Sequence, residues 1–375
     1  MRLTLVIASL ASGGAERVMA VLANDWVAQG HHITLITLAP ASEDRQSLAS
    51  TIARVGLDMM CASDNLRQAA RSNFLRVKRL RREIRDSQPD AVISFLAETN
   101  VLTLAATSTL RVPVIVSERV DPRAHRIPAV WAGMRNLLYR RATAVVVQTG
   151  DVARWAERRV PVAKVHTIPN PVPPPEECPT TRAQPAGLPE WLADPRSKVF
   201  AMGRLTRQKG FDVLLRAFAQ CHAQNLDWCL IILGEGEERR RLEALAVELG
   251  IESAVRLPGY VPNARRVLRD ADLFVLSSRY EGFPNALLEA MAYGLPVIST
   301  DCPSGPREIV RHGFDGLLIP PDDVDALSMA MRQLIAAPDD RKRLAWRAAE
   351  VVDRFSLMSV MRSWDQLLVK CTGCC

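Results

Sequence analysis

The sequence predicts an α/β protein of two Rossmann-like, doubly wound domains, each a parallel sheet covered by helices on both faces. Three observations predict it. At 375 residues the chain exceeds what one core of roughly 150 residues organises, so two cores are expected. Short Val/Ile/Leu runs alternate with amphipathic segments of helical period, and runs that are apolar throughout belong to strands buried on both faces. The alternation then breaks once, in a Pro-, Ala- and Asp-rich stretch over 173–195, and restarts.

In the first half, Leu3–Ala8, Ile33–Thr37, Ala91–Ser94, Val114–Val116, Ala144–Val147 and Val165–Ile168 read as strands. Arg2 ahead of Leu3, Leu5, Val6 and Ile7 is similar to the start of a secretory leader, but the apolar core is short and runs into glycines, so it is assigned to the first strand. Residues 1–172 are the expected N-terminal domain, 173–195 a linker and 196–355 a C-terminal domain. In the latter, Val199–Met202, Cys229–Leu233, Val255–Leu257, Leu273–Leu276, Pro296–Ser299 and Gly316–Ile319 read as strands, with a helix over Glu237–Leu249. The segment Ser356–Lys370 places Leu357, Val360, Met361, Trp364, Leu367 and Leu368 at helical spacing. This helix is expected to cross back onto the first domain.

Composition narrows the function classes. Hydrophobic residues make up 48% and charged residues 24%, which is globular rather than fibrous or low-complexity. No apolar run reaches the roughly 18 residues of a membrane span. The formal charge of +7 favours anionic partners, with nucleic acid, nucleotides and acidic lipid all open. Eight cysteines, at 61, 178, 221, 229, 302, 371, 374 and 375, show no framework spacing and read as reduced cytosolic thiols. The tail Cys371-Thr-Gly-Cys374-Cys375 contains C-x-x-C without a second pair, so an unpaired tail is expected. His31, His32, His125, His166, His222 and His312 show no ligand spacing.

Two strand-to-helix turns carry the first chemistry. Gly13-Gly14-Ala15-Glu16-Arg17 ends the first strand, where glycine lets backbone N–H groups approach a phosphate at a helix N-terminus. A tight turn needs glycine anyway. Gly203-Arg204-Leu205-Thr206-Arg207-Gln208-Lys209-Gly210 puts fixed positive charge on a loop just past a strand, as a diphosphate leaving group requires, although a solvated basic loop reads the same way.

In Ser278-Arg279-Tyr280-Glu281-Gly282-Phe283-Pro284-Asn285, followed by Glu289 and Gly294, proline suits the first helical position and glycine a left-handed stop. The helix is expected over Pro284–Tyr293, with Glu281 in the preceding loop. Eight residues at about 1.5 Å each set the two carboxylates up to about 12 Å apart, outside glycosidase separations but able to grip two rings of one ligand.

Glu281 and Glu289 match the E-x7-E motif, and the chain resembles the family 4 glycosyltransferases, retaining enzymes of the GT-B fold that use nucleotide sugars. The glycine pair at 13–14, the Arg204–Lys209 loop, Gly234-Glu235-Gly236 and Leu257-Pro258-Gly259-Tyr260 occur in that family's order. The resemblance implies two domains facing a cleft. It implies catalytic roles for Glu281, Arg204 and Lys209, and donor contacts from Gly13, Gly14, Arg204, Lys209, Gly234, Tyr260, Val261, Glu281, Gly282, Phe283, Pro284, Asn285 and Glu289. Arg204 and Lys209 would hold the diphosphate, Gly14 would meet it from the other domain, Glu281 would orient the sugar and Glu289 would take the ribose hydroxyls.

Where family members often carry a sugar-contacting histidine, this chain has Ser117-Glu118-Arg119-Val120-Asp121, so Glu118 or Asp121 is the expected substitute. Ser299-Thr300-Asp301-Cys302-Pro303-Ser304-Gly305-Pro306-Arg307-Glu308 resembles a branch using UDP-N-acetylhexosamines, notably N-acetylgalactosamine, on polyprenyl-diphosphate-linked or surface-polysaccharide acceptors.

Asp270-Ala271-Asp272 and Asp323-Val324-Asp325 fit a metal-binding D-x-D string, but their positions beside helix and strand ends look structural. No metal or other cofactor is expected. Residues 65–85 set Arg67, Arg71, Arg76, Lys78, Arg79, Arg81, Arg82 and Arg85 around a stripe of Leu66, Ala70, Phe74, Val77 and Ile84. The stripe either packs on the sheet with solvated arginines or docks on an anionic membrane. The expected partners are a UDP-sugar and a glycan or lipid-linked glycan, with peripheral membrane contact through 65–85 and a cytoplasmic location. A nucleotide-sugar epimerase or a non-catalytic donor-binding protein are the alternatives. Nucleic acid is not expected, because no aromatic-interleaved basic motif is present.

Overall fold

The computed structural model describes residues 1–11, 13–60, 65–172, 175, 190–261 and 264–373. Most of the expected linker, and Cys61, Cys178, Cys374 and Cys375, lie outside the described residues. The chain divides into two compact units, one of Met1–Pro171 with Leu357–Cys375 and one of Val172–Ser356.

The first unit holds a parallel seven-stranded sheet: β1 (Arg2–Ile7), β2 (His32–Thr37), β3 (Ala53–Gly56), β4 (Ala91–Phe95), β5 (Val114–Ser117), β6 (Ala144–Val147) and β7 (Val165–Thr167), in the order β3-β2-β1-β4-β5-β6-β7. β1 is central, so the leader-like start is core. Leu3, Leu5 and Ile7 point to a face packed by helix Gly14–Ala28, whereas Val6 points to the opposite face with Leu80 and Ile84 of helix Leu66–Ser87. Six strands fall on the expected runs. The seventh, β3, was not expected because it is an edge strand with no apolar run. Its Arg54 is half-buried instead against Asp44, at 2.7 Å.

The C-terminal helix, Leu357–Thr372, belongs to this first unit and buries Val360, Met361, Trp364, Leu367 and Leu368. Trp364 meets Trp26 edge-on at 6.0 Å and tilts over Phe95 at 6.2 Å, and Trp26 Nε1 donates to Asp365 at 3.0 Å. Helix Leu66–Ser87 departs from its expected stripe. Leu80 and Ile84 are buried and Val77 is partly so, but Ala70 is exposed and Phe74 is 67% exposed. Its arginines are not uniformly solvated either, since Arg76 and Arg81 donate to the carbonyls of Met59 and Ala106, each at 2.8 Å. No described helix is long and apolar enough to cross a membrane.

The second unit is a parallel six-stranded sheet: β8 (Ser197–Met202), β9 (Trp228–Leu233), β10 (Val255–Gly259), β11 (Leu273–Leu276), β12 (Val297–Thr300) and β13 (Leu317–Ile319), ordered β10-β9-β8-β11-β12-β13. Val199, Ala201, Leu230 and Ile232 face one core, while Phe200, Cys229, Ile231 and Phe274 face a second on the other side. The expected Glu237–Leu249 helix occupies Arg239–Glu248.

Candidate functional site

Strand order reverses between β8 and β11, and open α/β sheets bind ligands where the connections on either side of such a reversal leave in opposite directions. The loops leaving these two strands carry the residues singled out above. Their backbones are sutured: Arg279 N donates to Gln208 O at 2.8 Å, Gln208 Nε2 to Tyr280 O at 2.9 Å, and Ser277 Oγ to Lys209 O at 2.8 Å. The result is one rigid crest rather than two mobile loops.

Lys209 Nζ donates to Glu281 Oε1 at 2.6 Å, and Ser278 Oγ donates to the same oxygen at 2.6 Å. Both partners of the ion pair are largely buried, at 17% and 8% side-chain exposure. Lys209 can reach across because residue 203 is glycine: a Cβ there would lie 2.9 Å from the lysine Cε. Gly210 turns the chain at φ +62°, and a Cβ would fall 2.1 Å from Ser277 O. Arg204, by contrast, is exposed, and its side chain makes no ion pair or hydrogen bond among the described residues.

A third cation, the guanidinium of Arg279, was not anticipated from the sequence and holds this crest in place. Arg279 pairs bidentately with Asp212 at 2.9 Å, meets Asp322 at 2.7 Å and donates to Arg207 O at 2.6 Å. The hydrogen bond to Asp212 raises its pKa, while for Asp212 burial is outweighed by Arg279 and the carboxyl is held down. Asp212 and Asp322 are remote in sequence, so no spacing signal could have revealed the clamp.

The helix after Glu281 runs Asn285–Ala292, with Pro284 at the N-cap rather than the first helical position, because its ψ of 101° is extended. Glu289 is buried within it. Phe283 packs edge-on against Phe355 at 5.4 Å, and Gly282 and Pro284 are buried with it, while Asn285 and Val261 are half-buried and Tyr260 is 53% exposed. Gly234, at φ +137°, lies so close to Gly203 O that a Cβ would sit 1.9 Å away. The 299–308 segment buttresses the crest: Thr300 Oγ1 donates to Ser278 O at 2.5 Å and Ser304 Oγ to Gly282 O at 3.2 Å. Burial and then the charge of Glu281 push the Cys302 thiol up to about 12, making it a neutral wall of the site.

In the first unit the corresponding reversal lies between β1 and β4, and Gly13 caps helix Gly14–Ala28 without a side-chain bond. The Glu16 carboxylate folds back over Gly13, 2.2 Å from where a Cβ would be. A carboxylate thus sits against a helix N-terminus, a position that suits a phosphate oxygen equally well.

A family model described as glycosyl transferases group 1 matches residues 190–351, and one described as Glycosyltransferase Family 4 matches residues 12–176. The chain is a glycosyltransferase of the family 4 type. It is 28% identical over 372 residues, 99% of each chain, to the Campylobacter jejuni GalNAc-alpha-(1->4)-GalNAc-alpha-(1->3)-diNAcBac-PP-undecaprenol alpha-1,4-N-acetyl-D-galactosaminyltransferase. It is 38% identical over 171 residues to the lipopolysaccharide core biosynthesis glycosyltransferase LpsE of Rhizobium meliloti, covering 45% of this chain and 49% of that one. The crystal structure of Anabaena Alr3699/HepE in complex with UDP superposes with a TM-score of 0.77 at 18% identity, covering 99% of this chain and 100% of that one. This likeness shows the GT-B fold.

In this glycosyltransferase three of the four D-x-D aspartates do structural work. Asp272 Oδ2 accepts from Lys198 N at 2.8 Å, Asp323 caps helix Val324–Ala336 through Ala326 N at 2.8 Å, and Asp325 accepts from Gln220 at 3.1 Å. Among the described residues no group of three or more His, Cys, Asp or Glu side chains is poised for a metal.

The expected sugar contacts of the first unit are also committed internally. Glu118 is buried and accepts from Tyr139 OH at 2.7 Å, with Arg135 at 3.6 Å. Burial raises its pKa against the opposing effects of Arg135 and Tyr139. Asp121, fully buried, accepts from Arg123 Nε at 2.9 and 3.2 Å and from Arg123 Nη2 at 2.7 Å. Both carboxylates are thus buried and already hold partners within the first unit.

Proposed function

We propose that this glycosyltransferase moves a hexosamine or hexose from a UDP-sugar to a hydroxyl of a glycan acceptor, with retention at the anomeric carbon and without a metal. The Lys209–Glu281 pair at the β8/β11 reversal carries the reading. A lysine ammonium has three donors, and only one is spent on Glu281, so two remain for the diphosphate. Exposed Arg204 adds a second charge, and together they stabilise the leaving group as charge develops on it. Both donors to Glu281 use Oε1, so Oε2 keeps its acceptor capacity for a hydroxyl of the donor sugar. Glu289 is assigned to the ribose, and the backbone around Pro258–Val261 to the base. The Glu281–Glu289 spacing does not suit a double-displacement carboxylate pair, so attack from the face that UDP leaves is the reading for retention.

The full-length likeness to a galactosaminyltransferase supports an N-acetylgalactosamine-type donor and a polyprenyl-diphosphate-linked acceptor. The alternative of an epimerase is not favoured, because the named relatives are transferases. Thermal stability and UDP release are to be measured across UDP-, GDP- and ADP-sugars with EDTA present. The expected result is stabilisation and slow hydrolysis with one UDP-hexosamine, unchanged by EDTA. No response to any nucleotide sugar overturns the donor assignment, and a response abolished by EDTA overturns metal independence.

A peripheral position at a membrane fits the exposed face of helix Leu66–Ser87, where Phe74 and Leu75 stand among Arg67, Arg71 and Lys78. Co-sedimentation with vesicles containing phosphatidylglycerol, and loss of it in a Phe74→Ser/Leu75→Ser variant, is the expected outcome. Equal sedimentation of the variant and the parent removes the face from consideration.

A further inference from the structure

Among the described residues, Arg119 is a buried cation without a counter-ion. It follows β5, is 6% exposed, and its Nε and Nη2 are sealed from water with no hydrogen-bond partner. Its one side-chain hydrogen bond, from Nη1 to Ser117 Oγ, is long at 3.5 Å. Neighbouring carboxylates do not answer it, because Glu118 is turned to Tyr139 and Arg135, and Asp121 to Arg123. Burial alone acts on the guanidinium and lowers its pKa to about 9. Folded proteins rarely leave a buried polar group unpaired, and a buried charge is rarer still, so the missing partner requires an explanation.

The placement of the guanidinium supplies one. Its carbon lies 4.0 Å from the centroid of Phe95, the last residue of β4. Arg119 therefore leans from β5 across β4, one strand spacing of about 4.8 Å nearer to the β1/β4 reversal. Phe95 shares a core with Val18, Met19 and Trp26, so the guanidinium rests on the face that helix Gly14–Ala28 covers. The next residue, Leu96, takes a φ of +77°, a conformation that a leucine adopts only when its surroundings impose it and one concentrated at ligand sites.

We infer that Arg119, in the first unit, binds a phosphoryl oxyanion of one of the substrates. The inference rests on the donor and acceptor reading above. A planar guanidinium suits such a group because it offers two parallel N–H donors, and stacking on Phe95 fixes its plane before the ligand arrives. Two substrates carry the chemistry: the donor through UDP, and a polyprenyl-diphosphate acceptor.

The test compares the parent, Arg119→Met and Arg119→Lys with UDP, inorganic pyrophosphate and geranyl diphosphate as probes, reading both melting temperature and half-saturation. Without ligand, Arg119→Met is expected to melt at or above the parent, because an unpaired buried charge is removed. Its half-saturation is expected to rise at least tenfold for a diphosphate probe, with Arg119→Lys in between. A rise with UDP assigns the contact to the donor, and a rise with geranyl diphosphate alone assigns it to the acceptor. Unchanged half-saturation for all three probes in both variants overturns the inference. Lys209→Ala is run alongside: loss of the UDP response there, with normal diphosphate binding in Arg119→Met, rejects Arg119 and leaves the donor assignment standing. If Arg119→Met does not fold, Arg119→Lys carries the comparison, with a several-fold loss expected and no loss overturning it.

Discussion

Lys209→Ala is expected to lower kcat by about 100- to 1000-fold, the range found when one preorganised donor to a developing negative charge is removed. The ammonium is fixed by Gly203 on one side and by Glu281 at 2.6 Å on the other, so it needs no reorganisation as the diphosphate departs. The substitution also leaves Glu281, 6% exposed, with only the Ser278 hydroxyl, which costs roughly 1–3 kcal/mol of stability for a buried acceptor that loses a partner. The two effects separate in a second variant. Lys209→Ala/Glu281→Gln removes the uncompensated charge, so it should recover most of the lost melting temperature while remaining inactive. Turnover at saturating donor, measured beside thermal unfolding, decides the matter. Near-normal kcat in Lys209→Ala would remove this lysine from the mechanism.

The architecture was legible because buried parallel strands leave a continuous apolar signature, visible in Ala144–Val147 and Leu273–Leu276, that polar edge strands lack. β3 was missed for that reason, since Ala53-Arg54-Val55-Gly56 relies on an ion pair with Asp44 rather than on an apolar run. The motif residues Lys209 and Glu281 could be placed on loops at strand ends, and the structure brings them into contact. What local pattern could not disclose is which polar side chains are already spent. Glu118 and Asp121 read as available carboxylates, but their partners Tyr139, Arg135 and Arg123 become evident only once the chain is folded. Arg279 and Arg119 were hidden in the same way. The first is occupied by distant aspartates, and the second is conspicuous only because no carboxylate among the described residues pairs with it.

Trp364→Ala is expected to destabilise the first unit by about 3–5 kcal/mol, the cost of deleting a fully buried large aromatic. Trp364 is wholly enclosed, with Trp26 and Phe95 against it, so the cavity would open where the C-terminal helix meets the sheet. Each unit has hydrophobic cores of its own, so the loss is confined to one of them. Thermal unfolding followed with and without UDP makes the confinement measurable. UDP should raise the transition of the second unit most, through Lys209 and Arg204, and Trp364→Ala should lower the other, while Trp364→Phe, which refills part of the cavity, should fall between. A shift confined to the transition that UDP raises most would contradict this assignment of the helix. Because Phe95 carries Trp364 on one side and the Arg119 guanidinium at 4.0 Å, the same variant should loosen that stacking and weaken whichever diphosphate response Arg119→Met abolishes. Trp364, in the helix Leu357–Thr372 far downstream of Arg119 in sequence, would then set the geometry of a first-unit binding residue.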